Sequence, residues 1–261
     1  MNEEDDFLRM QIRKVKELVA NGYYHARPRL AVPERPELSY GIKMSNDFPI
    51  IAEVKISSPS SGMISTMGAR QLIDDYITGG AAALSIITEP ISFEGSLGIL
   101  ECVRDPDVPV LMKDFIVSVQ QVEAAKHFGA SAILLIQGIF DIDGGNMMRD
   151  ELIAKAHEIG LEVVIEGHDQ FELQRAMESD ADILAINQRN LHTLEVFPGH
   201  ALRLLPYIGR DERPIIVMSG IRSQRDIIDI RDAWGDAVLI GTDLVSSGSP
   251  KARLLQLAVS R

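Results

Sequence analysis

The sequence has a single cysteine, no long apolar run and no excess of basic residues. Cys102 stands alone in 261 residues, which excludes an intramolecular disulfide framework and a cysteine-based zinc cluster. No stretch approaches the ~18 uninterrupted apolar residues that a membrane-spanning helix requires. The N-terminal segment MNEEDDF is acidic, whereas a secretory signal begins with basic residues. We therefore expect a cytoplasmic protein with no membrane partner.

The charge balance is acidic, with 26 Lys and Arg residues against 38 Asp and Glu residues and a formal net charge of −12. Nucleic-acid binding depends on clustered Lys and Arg that release counterions from phosphates. The charge therefore argues against a nucleic-acid partner. An anionic small molecule is also repelled at long range, so its binding requires local donors.

Short apolar runs alternate with longer amphipathic stretches from about residue 49 onward. The runs are rich in Val, Ile and Leu and are apolar almost throughout, which is typical of strands buried on both faces of a parallel sheet. Eight such runs are present: 49–55, 82–88, 109–115, 131–136, 162–166, 182–187, 214–218 and 237–241.

The spacing of these runs favours a closed barrel. From Lys55 to Gly241, the ends of the first and eighth runs, is 186 residues, or about 27 for each of seven steps, which fits a strand, a crossover helix and two loops. Eight such units predict the α/β class and a (β/α)8 TIM barrel over 49–261. An open doubly wound sheet is the alternative, but no GxGxxG turn follows the first run.

Residues 1–48 precede the repeat and are expected to form an N-terminal helical extension that packs on the barrel. Its first part has apolar residues on one helical face, namely Leu8, Ile12, Val15 and Val19. Two interpretations stay open, because the sequence gives no direction of packing. The extension could close one end of the barrel, or it could form a lid over the active site.

Polar side chains end five of the eight runs, and they predict one site. Barrel enzymes carry their catalytic groups at the carboxyl ends of the strands, and these side chains are Glu53 and Lys55, Lys113, Glu166, Asn187, and Ser219 with Gly220. Glu53 and Lys55 are two residues apart and therefore project from the same face of their strand. Each residue alone is more simply a solvated group or a member of a structural ion pair. Polar side chains at the ends of five strands, all on one rim of the barrel, together favour an active site.

Loops of small residues follow the first, seventh and eighth runs, as SSPSSG (57–62), SG (219–220) and GTD (241–243). Small residues allow backbone N–H groups to approach an anion, and the loops after strands seven and eight of such barrels often bind phosphate. Ordinary turn chemistry explains any one of these loops alone. Together they predict a phosphorylated small-molecule substrate.

Metal binding is not expected. The six histidines show no ligand spacing such as HExxH. The segment DIDGGN (141–146) begins like a calcium loop, but its glycine is misplaced and Leu152, at the twelfth position, cannot bind a cation.

The chain resembles the indole-3-glycerol phosphate synthase family, (β/α)8 enzymes of tryptophan biosynthesis, over nearly its whole length. The most specific pair of motifs is VLMKDFIV (110–117) with INQRNLHTLEV (186–196). The other matching segments are IAEVKISSPSSG (51–62), ITEPISFEGS (87–96), SGI (219–221) and LIGTDLV (239–245).

The resemblance implies ring closure of 1-(2-carboxyphenylamino)-1-deoxyribulose 5-phosphate to indole-3-glycerol phosphate with loss of CO2 and water, without metal or redox cofactor. Lys113 resembles the general acid and Glu166 the general base, and Lys55 matches the lysine that handles the substrate carboxylate. Glu53 and Asn187 match the pair that orients these groups. The remaining expected substrate-binding residues are Ser58, Gly220, Gly241 and Thr242 for the phosphate, Phe93, Phe115 and Leu135 for the aromatic ring, and Arg189, Ser219 and Leu239 within the matching motifs. We expect a monomer or weak homo-oligomer.

The chain departs from the family pattern at three positions. The family usually has Glu where Met218 stands, and basic residues where Ile56 and Ser61 stand. Two rival functions stay open. A sibling isomerase such as phosphoribosylanthranilate isomerase is expected to use a Cys/Asp pair, and Cys102 lies far from the end of the first run. A catalytically silent barrel, retained as a binding module, is supported only by Met218.

Overall fold

Eight parallel strands close into a barrel in the computed structural model, which describes residues 6–28, 31–58, 62–63, 67–209 and 211–261. All eight predicted runs form barrel strands, and the fold class is confirmed. In chain order, with two short strands β2 (Ser57–Ser58) and β3 (Gly62–Met63) after the first, the barrel strands are β1 (Ile50–Val54), β4 (Ala83–Ile87), β5 (Val110–Lys113), β6 (Ala132–Ile136), β7 (Glu162–Gly167), β8 (Ile183–Asn187), β9 (Ile215–Met218) and β10 (Ala237–Ile240).

Closure of the barrel pairs the first strand with both the second and the last. Ala52 of β1 lies opposite Leu84 of β4 and Ile240 of β10, so the apolar strands have no free edge. Their side chains are buried by neighbouring strands and by the surrounding helices. Burial of each Val, Leu or Ile side chain contributes about 1.5–3 kcal/mol, which explains why the strands are apolar almost throughout.

Helices follow the strands and pack around them. Side-chain caps stabilise two of the helix starts: Ser223 and Asp226 form a reciprocal capping box, and the Asp169 carboxylate accepts hydrogen bonds from the backbone N–H groups of Phe171 and Glu172. The helices after the extension are α3 (Ala69–Thr78), α4 (Leu97–Leu100), α5 (Val119–His127), α6 (Gln137–Ile142), α7 (Gly145–Glu158), α8 (Gln170–Met177), α9 (Ala201–Ile208), α10 (Gln224–Asp232), α11 (Thr242–Val245) and α12 (Pro250–Leu257). None of the helices in these described ranges has the length and hydropathy for a bilayer crossing.

The first helix of the N-terminal extension lies at the carboxyl ends of the strands. This helix, α1 (Phe7–Ala20), ends just before Gly22, whose φ of 76° terminates the helical path. The backbone N–H of Phe7 donates to the carbonyl of His192 at 3.2 Å, in the loop after β8. The side chain of Gln11 donates to the hydroxyl of Ser92 at 2.6 Å, in the loop after β4. The helix therefore contacts loops of the active-site end.

The second helix of the extension, α2 (Leu38–Met44), lies at the opposite end of the barrel. A Cβ atom on Gly41 would stand 2.7 Å from the carbonyl oxygen of Ala82 and 2.7 Å from the ring of Pro109, and these residues immediately precede β4 and β5. The backbone N–H of Ser39 also donates to the carboxylate of Glu162, the first residue of β7, at 2.9 Å. The extension thus contacts both ends of the barrel. A lid function for α1 stays a prediction.

Candidate active site

A cavity of about 640 Å³ opens at the carboxyl ends of the barrel strands. All eight barrel strands, or the loops that follow them, contribute to its lining. The structure brings most of the sequence-predicted residues to this one cavity: Glu53, Lys55, Phe93, Lys113, Phe115, Glu166, Asn187, Arg189, Ser219, Gly220, Leu239, Gly241 and Thr242.

Glu53 contacts two lysine ammonium groups. Its Oε1 atom lies 3.1 Å from Nζ of Lys55 and its Oε2 atom lies 3.1 Å from Nζ of Lys113. Burial alone would raise the pKa of Glu53, but the two ammonium groups lower that pKa to about 2. Glu53 is therefore a carboxylate at neutral pH. A single negative charge is shared between two positive ones.

The ammonium group of Lys113 has a second contact, with the sulfur of Met218 at 3.7 Å. Burial of Lys113 acts to lower its pKa, but the carboxylates of Glu53 and Glu166 outweigh burial and raise the pKa above its usual value. Lys113 is therefore a protonated donor at neutral pH. A thioether accepts only weak hydrogen bonds, so Met218 leaves an N–H of this ammonium group available for a ligand.

Glu166 is held by Asn187, whose side-chain Nδ2 donates to its Oε1 atom at 2.8 Å. The other carboxylate oxygen, Oε2, is buried and has no hydrogen-bond partner among the described residues. Burial raises the pKa of Glu166 and outweighs the opposing effects of Lys113 and Asn187. A carboxylate with a raised pKa and a free, buried oxygen is suited to accept a proton from a bound molecule.

Two aromatic side chains form one wall of the cavity. The rings of Phe93 and Phe115 lie 6.1 Å apart between centroids, and Phe7 of α1 packs its ring edge-on against both, at 6.3 and 6.2 Å. The loop that carries Phe93 is ordered by Glu89, whose carboxylate accepts hydrogen bonds from the backbone N–H groups of Ile91, Ser92 and Phe93 at 2.7–2.9 Å. These hydrogen bonds and the contact with Phe7 hold the wall in position.

The loops after β9 and β10 bring backbone close to the cavity. Ser219 and Gly220 both adopt left-handed backbone conformations, with φ values of 70° and 74°. A Cβ atom on Gly241 would stand only 2.5 Å from Oε1 of Glu53, so a side chain here would displace that carboxylate from its position beside Lys55. Arg253 of α12 donates to the carboxylate of Asp243 at 2.8 Å and also lines the cavity. The sequence did not reveal Arg253, because it lies on a helix far from any strand end.

Two predicted positions do not join the lining. The prediction for Leu135 was wrong: Leu134 and Ile136 line the cavity, whereas Leu135 is buried on the other face of β6, since successive strand residues point to opposite sides. Strand alternation groups Leu134 with Ile136, but it does not show which group of side chains faces inward. The side chain of Ser58, like residues 59–61, lies outside the described part of the chain.

Sequence reasoning also missed Asp114, a buried carboxylate next to Lys113. Its Oδ2 atom accepts hydrogen bonds from the hydroxyls of Thr88 at 2.6 Å and Tyr24 at 3.0 Å, and its Oδ1 atom accepts from the backbone N–H of Phe115 at 2.8 Å. Burial raises the pKa of Asp114 to about 6. Its position directly after Lys113 was the signal available.

Within the described ranges, no group of three or more His, Cys, Asp or Glu residues is placed to hold a metal ion.

The chain is similar to known proteins of one family. A family model described as indole-3-glycerol phosphate synthase matches residues 10–257. A curated indole-3-glycerol phosphate synthase from Beutenbergia cavernae is 36% identical, over 90% of this chain and 88% of that protein. One from Methanopyrus kandleri is 37% identical, over 80% and 82%, and one from a Roseiflexus species is 31% identical, over 95% and 94%.

Solved structures show the same fold at low sequence identity. The 3-hexulose-6-phosphate synthase of Salmonella typhimurium superposes with a TM-score of 0.63 at 15% identity, covering 80% of this chain and 96% of that one. A chain of the tryptophan synthase a2b2 complex of Pyrococcus furiosus gives a TM-score of 0.60 at 15% identity, with coverages of 82% and 99%. These similarities support the barrel fold alone.

Proposed function

The chain belongs to the indole-3-glycerol phosphate synthase family, and we propose that it is a carboxy-lyase that closes 1-(2-carboxyphenylamino)-1-deoxyribulose 5-phosphate to indole-3-glycerol phosphate in tryptophan biosynthesis. The observation that carries this proposal is the placement of Lys113, a protonated donor, and Glu166, a carboxylate with a free oxygen, in the lining of one cavity. Ring closure with dehydration requires both an acid and a base.

The lining supports a binding mode for each part of this substrate. The phosphate would bind the backbone N–H groups of the loops around Gly220 and Gly241, near Arg253. The aromatic ring would pack on Phe93 and Phe115, with Leu134 in place of the expected Leu135. The carboxylate would pair with the ammonium group of Lys55. Holding the reacting carbons in contact in this way can lower the barrier by several kcal/mol.

The first chemical step forms the carbon–carbon bond. Lys113 donates a proton to the ketose carbonyl oxygen while the ring carbon that carries the carboxylate attacks the carbonyl carbon. The carbonyl becomes a hydroxyl group. The bond between the ring carbon and the carboxylate then breaks, CO2 leaves, and the electron pair of that bond restores the aromatic ring. A positioned general acid contributes about 10²–10⁴-fold to the rate of such a step.

The second step removes water and completes the indole. The Oε2 atom of Glu166 accepts a proton from the carbon next to the nitrogen, and the electron pair of that C–H bond forms the new double bond as the hydroxyl leaves. Lys55 donates the proton that makes this leaving group water. Lys113 and Lys55 each give one proton to the substrate, and Glu166 takes one from it. The net uptake of one proton is the uptake that the loss of a carboxylate as CO2 requires.

Indole fluorescence tests the proposal directly. The purified chain with saturating substrate is expected to form a product with indole emission and to release one CO2 for each indole formed. A silent barrel, the rival that Met218 supports, predicts binding of the substrate without any product. Absence of turnover at every pH between 6 and 9 would therefore reject the proposed activity.

We also propose a cytoplasmic location and a monomeric or weakly associating state. The single cysteine suits a reducing compartment. Sedimentation of the purified protein at several concentrations tests the second part, since a tight oligomer would sediment with a mass that does not fall on dilution.

A further inference from the structure

A histidine outside the cavity lining contacts the residue that holds Glu166. His168 follows β7 directly, and its Nδ1 atom lies 2.8 Å from the backbone carbonyl oxygen of Asn187 at the end of β8. The last paired residues of these two strands are Gly167 and Ile186. The imidazole therefore continues the hydrogen bonding between the strands for one residue beyond the ladder. It does so at the residue whose side chain donates to Glu166.

The direction of this hydrogen bond fixes the tautomer of His168. A carbonyl oxygen only accepts, so Nδ1 of His168 carries the hydrogen. A neutral or a protonated imidazole makes this bond equally, and the contact therefore does not depend on the charge of His168. Burial lowers the pKa of His168, which favours the neutral ring. The titratable groups that face it are His200, Asp169 and His192, with Glu172 at its backbone N–H.

His168 is itself held from two sides. Its backbone N–H donates to Oε2 of Glu172 at 2.7 Å, and its carbonyl accepts a hydrogen bond from Nε2 of His200 at 2.8 Å. The rings of His168 and His200 lie 4.9 Å apart between centroids, and the ring of Phe197 lies 6.1 Å from that of His168. A side chain with these constraints has little freedom to follow a movement of Asn187, so it fixes the position of that residue.

We propose that His168 is a positioning residue for Glu166, acting through the backbone of Asn187. The side chain of Asn187 has two tasks: its Nδ2 donates to Glu166 and its Oδ1 accepts from the backbone N–H of Arg189 at 2.9 Å. Both require Asn187 to keep its place at the strand end. There β9 still pairs with it on one side, but the pairing with β7 on the other side has ended, and the His168 ring takes its place. This inference rests on the proposed function, in which Glu166 is the base.

Substitution of the ring separates the hydrogen bond from simple packing. His168→Phe keeps an aromatic ring against His200 and Phe197 but removes the donor, whereas His168→Asn keeps a donor near the position of Nδ1. Small misplacements of a catalytic group cost up to about 100-fold in rate. We expect His168→Phe to lower kcat by about tenfold or more with KM within about twofold, and His168→Asn to restore kcat to within about threefold of the native protein.

Two further measurements distinguish positioning from a general structural role. In a Glu166→Gln background, His168→Phe is expected to have no additional effect on kcat, because the group it positions is already absent. Carbon-13 NMR titration of the Glu166 carboxyl group is expected to show a higher pKa in His168→Phe than in the native protein or His168→Asn, since the Asn187 donor is weakened. His168→Leu serves in both measurements if the Phe variant does not fold.

Each outcome decides between the inference and its alternatives. Equal kcat values for His168→Phe and His168→Asn would overturn the positioning role. It would also be overturned if His168→Phe lowered kcat by the same factor in the native protein and in the Glu166→Gln background. If the native chain shows no turnover, the proposed function fails, but the NMR titration still decides the inference: an unchanged Glu166 pKa in His168→Phe overturns it, and a raised one supports it.

Discussion

The Oε2 atom of Glu53, on β1, lies 3.1 Å from Nζ of Lys113, on β5. This ion pair fixes the position of the proposed general acid. Because the other oxygen of Glu53 contacts Lys55, a single carboxylate pairs with both lysines. The pH dependence of the reaction should therefore respond to Glu53 more than to any other acidic residue of the cavity.

Replacing Glu53 by Gln should move the alkaline limb of the pH profile of kcat/KM, where Lys113 loses its proton, to lower pH. Loss of the carboxylate removes the main effect that holds the pKa of Lys113 above its usual value, and an adjacent opposite charge changes a pKa by about 1–3 units. The matched control is Glu89→Gln. Glu89 also lines the cavity but binds backbone N–H groups, so its loss should leave that limb in place. Equal shifts in both variants would contradict this assignment.

Replacing Met218 by Glu should move the same limb in the opposite direction. The sulfur of Met218 is 3.7 Å from Nζ of Lys113, and a carboxylate there would stabilise the charged form of the lysine. We expect the alkaline limb to rise by about one unit. Met218→Leu, which keeps the volume without a charge, should leave the pH profile unchanged. A limb that does not move in Met218→Glu would mean that Lys113 does not titrate in this reaction.

Asp114 should make the stability of the protein depend on pH. Its pKa is raised from 3.8 to about 6, so the folded state binds the proton more tightly than the unfolded state. This stabilisation is complete below about pH 4 and is lost as the pH rises through about 6, by up to about 3 kcal/mol. Urea unfolding from pH 4 to 7.5 should show the native protein losing stability relative to Asp114→Asn over that window. If the difference in unfolding free energy between the native protein and Asp114→Asn did not change with pH, the raised pKa of Asp114 would be refuted.

Phe7 should affect substrate binding although it lies on the N-terminal extension. Its ring packs on Phe93 and Phe115, which form the aromatic wall of the cavity. Phe7→Ala should raise KM by about threefold or more as the wall loosens, in addition to a stability loss of about 3–5 kcal/mol. Val15→Ala is the control, because Val15 is buried about two turns further along the same helix. A similar KM change in both variants would indicate a general effect of destabilisation.

The barrel and most of the candidate site could be read from the sequence because both depend on local patterns. Uniformly apolar runs occur where strands are buried on both faces, and polar residues at their ends must meet at one rim once the strands are parallel. The same logic placed Glu53 and Lys55 on one face of β1, where they form an ion pair.

Other features depend on contacts that no local pattern records. The amphipathic face of α1 gave no direction of packing, so the division of the extension between the two ends of the barrel was not predicted. Arg253 reaches the cavity from α12 by an ion pair with Asp243, ten residues earlier. The misassignment of Leu135 has a different cause, because in a strand buried on both faces hydrophobicity does not show which side chains point inward.

The most direct test of the account is a rapid-quench comparison of CO2 release and indole formation in two variants. If Lys113 acts in ring closure and Glu166 in the later dehydration, Lys113→Ala should slow both products by about 10²-fold or more. Glu166→Gln should release about one CO2 per active site in the first turnover while indole formation is slowed by a similar factor. Indole formation at the native rate by either variant would contradict the central claim that these two residues act on one bound substrate.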